Sequence, residues 1–202
     1  MLKALFCAML AVSFLNPTSA TADESSPIDA EQFIDEAFLN RMRAWMANPI
    51  LAVTLHGQNK QHASISEAQI LKLDEQWVRE REAEDQPLIS ARLSSPLSVF
   101  LLRVQALSEG IYTEIIVTDN RGLNAGQNVT TSDYWQGDED KFKKTYEVGP
   151  DAVFIDKPEF HEATKTWRVQ VNMTVTDPST REKIGAATVE VNLTEMKRRA
   201  TS

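Results

Sequence analysis

The stretch Val117 to Gly149, VTDNRGLNAGQNVTTSDYWQGDEDKFKKTYEVG, decides the fold. It opens at the end of an apolar strand and turns at Asp119-Asn120-Arg121-Gly122. A short strand follows from Leu123 to Gln127, then a polar loop from Asn128 to Gly137 with Tyr134 and Trp135 in its middle. Asp138, Glu139 and Asp140 lead a helical segment into Phe142 and Tyr146. Two aromatics in a polar loop between a strand and a helix waste hydrophobic area unless they cover something. They cover either a core edge or a small molecule.

Downstream of this stretch the pattern is of strands. Trp167, Val169, Val171, Met173 and Val175 alternate with polar residues, and a period of two means one buried face. Asp177-Pro178-Ser179 makes a turn, and Ala187, Val189, Val191 and Leu193 alternate again in a last strand. Ile111 to Thr118 and Ala152 to Asp156 complete the strand set. Lys197-Arg198-Arg199 reads as a solvated tail.

Upstream the pattern is helical. Ser26-Pro27 with Asp29 gives a helix start, and Ile34, Phe38, Met42 and Trp45 form one apolar stripe. Asn48-Pro49 restarts the signal. Ser66 with Gln69 is a capping box leading into Ile70, Leu73 and Trp77, with Pro87 at or just past the end of that helix. Ser95-Pro96 starts another helix, whose apolar side carries Leu97, Phe100, Leu101, Val104 and Leu107 and which Gly110 stops. Helices first and neighbouring strands after them predict an α+β fold with an antiparallel sheet.

The chain resembles the extracellular Cache, or PDC, sensor domain, a relative of the PAS fold. The resemblance rests on Ile115-Ile116-Val117-Thr118-Asp119-Asn120-Arg121-Gly122, on Thr131 to Glu139, and on Val175-Thr176-Asp177 followed by Ile184-Gly185-Ala186. It implies a long N-terminal helix and a helical layer packed on a five-stranded antiparallel PAS-like sheet. It further implies a binding module for a small polar metabolite (a carboxylate, amino acid or amine), held between the sheet and the loop-helix segment after the second strand. Most such domains continue into a membrane helix and an output module. Here the expectation is a stand-alone protein that relays occupancy to a separate, membrane-bound signalling partner, or else a structural or interaction module without a ligand.

The 202 residues carry a net charge of −8, which disfavours nucleic acid and anionic membrane surfaces as partners. Met1-Leu2-Lys3, the apolar run Ala4 to Leu15 and Ala20-Thr21-Ala22 read as a signal peptide over residues 1–22, cut after Ala20 or Ala22. An uncleaved anchor is the competing reading. Residues 23–202 then form one domain, expected in the periplasm because its only cysteine, Cys7, is lost with the signal, and expected not to insert further because no second apolar run is long enough to cross a membrane.

Within the loop, Tyr134 and Trp135 either enclose a ligand or seal the core, and Asp133 is either a polar anchor or a cap. Asp119 and Asp177 read as turn residues, and Asp138 and Glu139 as favourable charges at a helix start. Arg121 and Arg168 are alternative partners for a carboxylate. No enzyme signature stands out: His56, His62 and His161 lack metal-ligand spacing, and no G-x-S-x-G or phosphate-cradling loop occurs. The expectation is a binding protein without catalytic residues, cofactor or metal.

Overall fold

The computed structural model describes residues 27–201; the expected signal segment and Ser26 lie outside the described residues. No helix starts at Pro27 among the described residues. Asp29 instead caps a short 3-10 turn, Ala30–Gln32, by accepting the Glu31 N–H at 3.0 Å. Helix α1 (Glu36–Met46) begins behind Asp35, which accepts the Phe38 N–H at 2.7 Å. Helix α2 (Pro49–Gln61) follows almost at once. The break falls at Asn48-Pro49 because an interior proline clashes with the preceding turn, whereas at the first helical position its fixed φ is an advantage. Asn48 caps the new start by accepting the Ile50 N–H at 3.0 Å.

Helix α3 (Glu67–Glu80) carries the expected Ser66/Gln69 capping box. Pro87 does not end it. That proline opens a further helix, α4 (Pro87–Leu93), whose first N–H groups, at Leu88 and Ile89, are taken by Glu80 Oε2 at 2.7 and 3.0 Å. Helix α5 (Pro96–Leu107) buries Leu97 and Leu101 completely, but its last turn overhangs the core and leaves Leu107 83% exposed.

The strands are β1 (Tyr112–Thr118), β2 (Asn124–Gln127), β3 (Val153–Ile155), β4 (Glu159–His161), β5 (Thr166–Thr176) and β6 (Lys183–Asn192). They form one antiparallel sheet with a path of five strands in the order β2-β1-β6-β5-β3, and β4 pairs separately with β5. β4 has too few residues for a visible alternation, and its pairing with β5 alone makes it a strand. The short helix α6 (Asp140–Lys143) sits in the long excursion between β2 and β3.

Strand alternation sorts the sheet residues into two faces. Ile115, Val117, Val169, Val171, Met173, Val175, Val189 and Val191 pack on α1, α2 and α5 in the main core. Asn172, Thr174 and Thr188 point the other way and are buried as well, so β5 is covered on both sides over much of its length. The cover is the excursion 128–149. It is pinned by Asn128 Oδ1 accepting the Ile115 N–H at 2.6 Å, by Lys183 donating to the Tyr146 carbonyl at 2.6 Å, and by Thr174 donating to the Gly149 carbonyl at 2.7 Å.

The basic C-terminal residues are exposed, as expected of a solvated tail, but they belong to a helix, α7 (Leu193–Ala200). Leu193 is fully buried, Asn192 caps the start by accepting the Glu195 N–H, and Arg198 and Arg199 both pair with Glu195 at 2.7 Å. Cations in the last turn also suit the helix dipole. A smaller core, Ile70, Trp77, Ile89, Leu123 and Tyr134, joins α3 and α4 to the start of β2 and the loop after it.

Candidate functional site

The site region is built on the turn between β1 and β2. Asp119 is fully buried, and its Oδ1 accepts the N–H groups of Arg121 at 2.8 Å and Leu123 at 3.0 Å. This side-chain mimicry of a backbone turn is the reason an aspartate stands there. Its Oδ2 faces helix α2, taking a hydrogen bond from Gln58 Nε2 at 2.9 Å and lying 2.6 Å from His62 Nδ1. Gly122 closes the turn with φ +78°, and a Cβ on it would lie 2.5 Å from the backbone of Gly137. Glycine is needed at that φ and at that approach.

The close approach lets the loop from Thr131 to Gly137 fold back on the turn. Gln136 N–H donates to the Gly122 carbonyl at 2.8 Å, and Asn124 N–H donates to the Tyr134 carbonyl at 2.9 Å. Trp135 Nε1 donates to the Arg121 carbonyl at 2.9 Å. From α3, Asp74 Oδ1 accepts both the Tyr134 and the Trp135 N–H, at 2.8 and 2.9 Å. This clamp joins residues far apart in the chain, and no local sequence pattern signals it.

The three sequence-derived site residues fall in different environments. Tyr134 is buried and stacks on Trp77, with ring centroids 5.3 Å apart, in the second core. Burial pushes its phenol up to about 12, against the neighbouring Arg92, whose guanidinium carbon lies 5.7 Å from the ring centroid. Trp135 is half-buried and walls a cleft of about 320 Å³ with Asn120, Arg121, Phe142 and Tyr146. Asp133 is half-buried; its carboxylate accepts from Ser132 Oγ at 2.7 Å, while its carbonyl accepts from Asn124, Thr131 and Gln136. Of the two arginines weighed for a carboxylate, Arg168 is held by Glu190 at 2.7 Å, and Arg121 faces the Trp135 cleft.

Strand register adds residues that the sequence did not single out. Gln127, Ile116, Thr188, Asn172 and Phe154 form one row across the sheet, on the face under the 128–149 cover. Thr188 donates to Asn172 Oδ1 at 2.7 Å and Asn172 donates to the Phe154 carbonyl at 3.0 Å. Gln127 is different. It is fully buried, and neither its Nε2 nor its Oε1 has a partner among the described residues. Asn124 Oδ1 and Asn120 Oδ1 are likewise buried and unpartnered. Buried polar atoms are nearly always satisfied, so such a concentration between residues 120 and 127 calls for a physical cause.

Charge borders the same row. Glu114 is paired by register with Glu190, and burial, with that neighbour's charge, raises its carboxyl above the ordinary value, opposed by Lys141 of α6. Lys141 is 13% exposed and lies 3.1 Å from Glu139. α6 is a single turn with no side-chain cap at Glu139, so Asp138 and Glu139 do not begin a helix long enough to present a sizeable dipole. No group of three or more His, Cys, Asp or Glu is placed to hold a metal ion among the described residues. None of the described helices is long and apolar enough to cross a membrane.

No protein-family model and no curated protein matches the chain. Solved structures do. The ligand-binding domain of the Pseudomonas aeruginosa amino acid chemoreceptor PctC, in complex with GABA, is 13% identical at a TM-score of 0.41, over 80% of this chain and 62% of that one. The Escherichia coli DcuS sensor domain is 16% identical at a TM-score of 0.40, over 74% of this chain and 99% of that one. The ligand-binding domain of the Pseudomonas fluorescens chemoreceptor CtaA, in complex with L-alanine, is 13% identical at 0.36, over 79% and 60%. The chain thus spans only 62% and 60% of the two chemoreceptor domains. Likeness of this degree transfers neither ligand nor activity. The architecture itself, helices on one face of an antiparallel sheet and a loop-helix cover on the other, is the α+β arrangement expected of a Cache-type sensor domain.

Proposed function

We propose that the chain is a Cache-type, small-molecule-binding sensor domain and not an enzyme. In this reading a small polar metabolite lies between the β2 end of the sheet and the 128–149 cover. The observation that carries it is the Gln127 amide, buried with both polar atoms unpartnered. An amide left in that state costs stability, and a ligand that both donates and accepts would repay it. Asn124 Oδ1 adds a second acceptor. Glu114 and Lys141 set charge of both signs beside the row, which favours an amino acid over a simple carboxylate or amine. The loop of Asp133, Tyr134 and Trp135 is the cover: Trp135 a wall, Asp133 a polar anchor at the rim, and Tyr134 the residue that fixes the loop on Trp77. The N-terminal pattern supports export through residues 1–22 to the periplasm, and occupancy would be relayed to a membrane-bound signalling partner.

The test is a thermal-shift screen with amino acids, small dicarboxylates and amines, on the parent protein and on Gln127→Leu. Ligand binding raises apparent stability by mass action. The expected result is a hit with the parent and none with Gln127→Leu, whose unliganded form melts at or above the parent because an unsatisfied amide has been removed. A Gln127→Leu protein that keeps the hit, or that melts well below the parent without ligand, overturns the site. No hit from any class favours the interaction module without a ligand.

A further inference from the structure

A second cleft lies on the opposite face of the molecule, where α1, the end of α5 and α7 meet. It holds about 650 Å³, and Phe33, Trp45, Leu107, Ile111 and Met196 make its apolar walls. Its size is that of a small-molecule pocket. Leu107, 83% exposed, forms part of it, which accounts for an apolar residue left at the overhanging end of α5.

Ser108 lines this cleft too, but its hydroxyl is taken up by the Gln105 carbonyl and the Tyr112 N–H, which leaves donors as the remaining polar groups. Arg41 lies over the Phe38 ring, 5.4 Å from its centroid, and forms no ion pair among the described residues. Tyr112 packs edge-on against the same Phe38 ring at 5.9 Å, and Trp45 Nε1 is buried with no hydrogen-bond partner among the described residues. Guanidinium, phenol and indole N–H are donors toward an anion. Arg199 also lines the cleft, but Glu195 and Glu109 already hold it. One unneutralised cation beside two neutral donors and an apolar trough matches an amphipathic anion with one charge.

We infer that this cleft binds a monocarboxylate with an apolar tail, of the fatty-acid type, with the carboxylate on Arg41, Tyr112 and Trp45 and the tail along Leu107, Ile111 and Met196. The match is of charge and of shape: a net-acidic protein of −8 keeps an arginine with no ion pair among the described residues here, lining an apolar recess of about 650 Å³. The site is separate from the one under the 128–149 cover, and neither depends on the other.

The probe is decanoate, kept below its micelle-forming concentration, with decanol and decylamine as partners that share the tail and differ in the head. Calorimetric titration of the full chain is expected to show saturable decanoate binding. Decanol should bind about tenfold more weakly and decylamine not measurably, since a charge-assisted hydrogen bond is the term removed or reversed. Arg41→Gln should bring decanoate down to the level of decanol, and Leu107→Asp should remove all binding. Both side chains are exposed, so both variants should melt with the parent. Gln127→Leu should bind decanoate unchanged. Absence of decanoate binding overturns the inference. So does equal binding of the three probes, indifference of decanoate to Arg41→Gln, or a concentration-dependent dimer that excludes the probe and assigns the cleft to a second copy.

Discussion

Helix α2 meets two aspartate turns with the same chemistry and different surroundings. At one end of the sheet Asp119 lies against His62, at 2.6 Å, with the two side chains 0% and 8% exposed. At the hairpin between β5 and β6, Asp177 lies against His56 at the same 2.6 Å, with side chains 12% and 51% exposed. Each aspartate accepts two backbone N–H groups of its own turn through one oxygen and offers the other oxygen to a histidine, His56 within α2 or His62 at its C-cap. The lesson is that motif chemistry sets the turn while burial sets its energy. Near solvent, water replaces a lost partner; in the interior nothing does.

The sharpest break of this comparison is Asp119→Ala against Asp177→Ala. Removing Asp119 strands His62, Gln58 and two turn N–H groups in the interior, and should cost about 3–5 kcal/mol in urea unfolding. Asp177→Ala should lower the midpoint clearly less, and equal losses would show that burial does not separate the two turns. Next in size is Tyr134→Ala, which removes the ring stacked on Trp77 beside the buried turn. It should lower the stability of the unliganded protein by about 3 kcal/mol, as large-to-small changes in a core do. A variant that melts like the parent would return Tyr134 to a purely ligand-facing role.

The two ends should also fail at opposite extremes of pH. The Tyr134 phenol is raised from 10.0 to about 12. A raised folded value means a contribution that is complete below the ordinary phenol value and is lost as pH climbs through the folded one. Tyr134→Phe should therefore flatten the alkaline fall in melting temperature, and absorbance of the phenolate should follow the same rise in the parent. At Asp177 the carboxyl is held well below 3.8 by the Ser179 hydroxyl, by His56 and by the N–H groups of Ser179 and Thr180. A depressed folded value means a contribution present above the ordinary carboxylate range and lost as pH falls below it. Asp177→Asn should remove that part of the acid dependence, the smallest of these effects. An unchanged acid profile would show that the hairpin aspartate does not contribute to it.

Legibility followed the same division between local and distant causes. The long alternation of β5 and β6, the Asn48-Pro49 restart, the Ser66/Gln69 box and the Asp119–Gly122 turn each depend on residues within one turn or one strand, so the letters carry them. β4 and α7 were not visible, because a three-residue strand has no period and α7 depends on Leu193 finding the core. Pro87 lies past the end of α3, one of its two expected places, but that it also opens α4 is not visible in sequence; Glu80 receiving the new N–H groups decides it.

At the candidate site the sequence marked a loop and none of its long-range contacts. Tyr134 and Trp135 marked the loop, yet both have neighbours along the chain that give no hint of Trp77 or Asp74, more than fifty residues upstream. The sequence by itself determined the α+β class, the order of helices before strands and the turns, since periodicity and turn chemistry are local. Only the tertiary structure decided that Tyr134 packs while Trp135 lines a cleft, that His62 and Gln58 close on Asp119, and that Gln127 is buried without a partner. Those outcomes depend on strand register and on which helix lies opposite, and both are set by the packing of surfaces that meet only when the whole chain has folded.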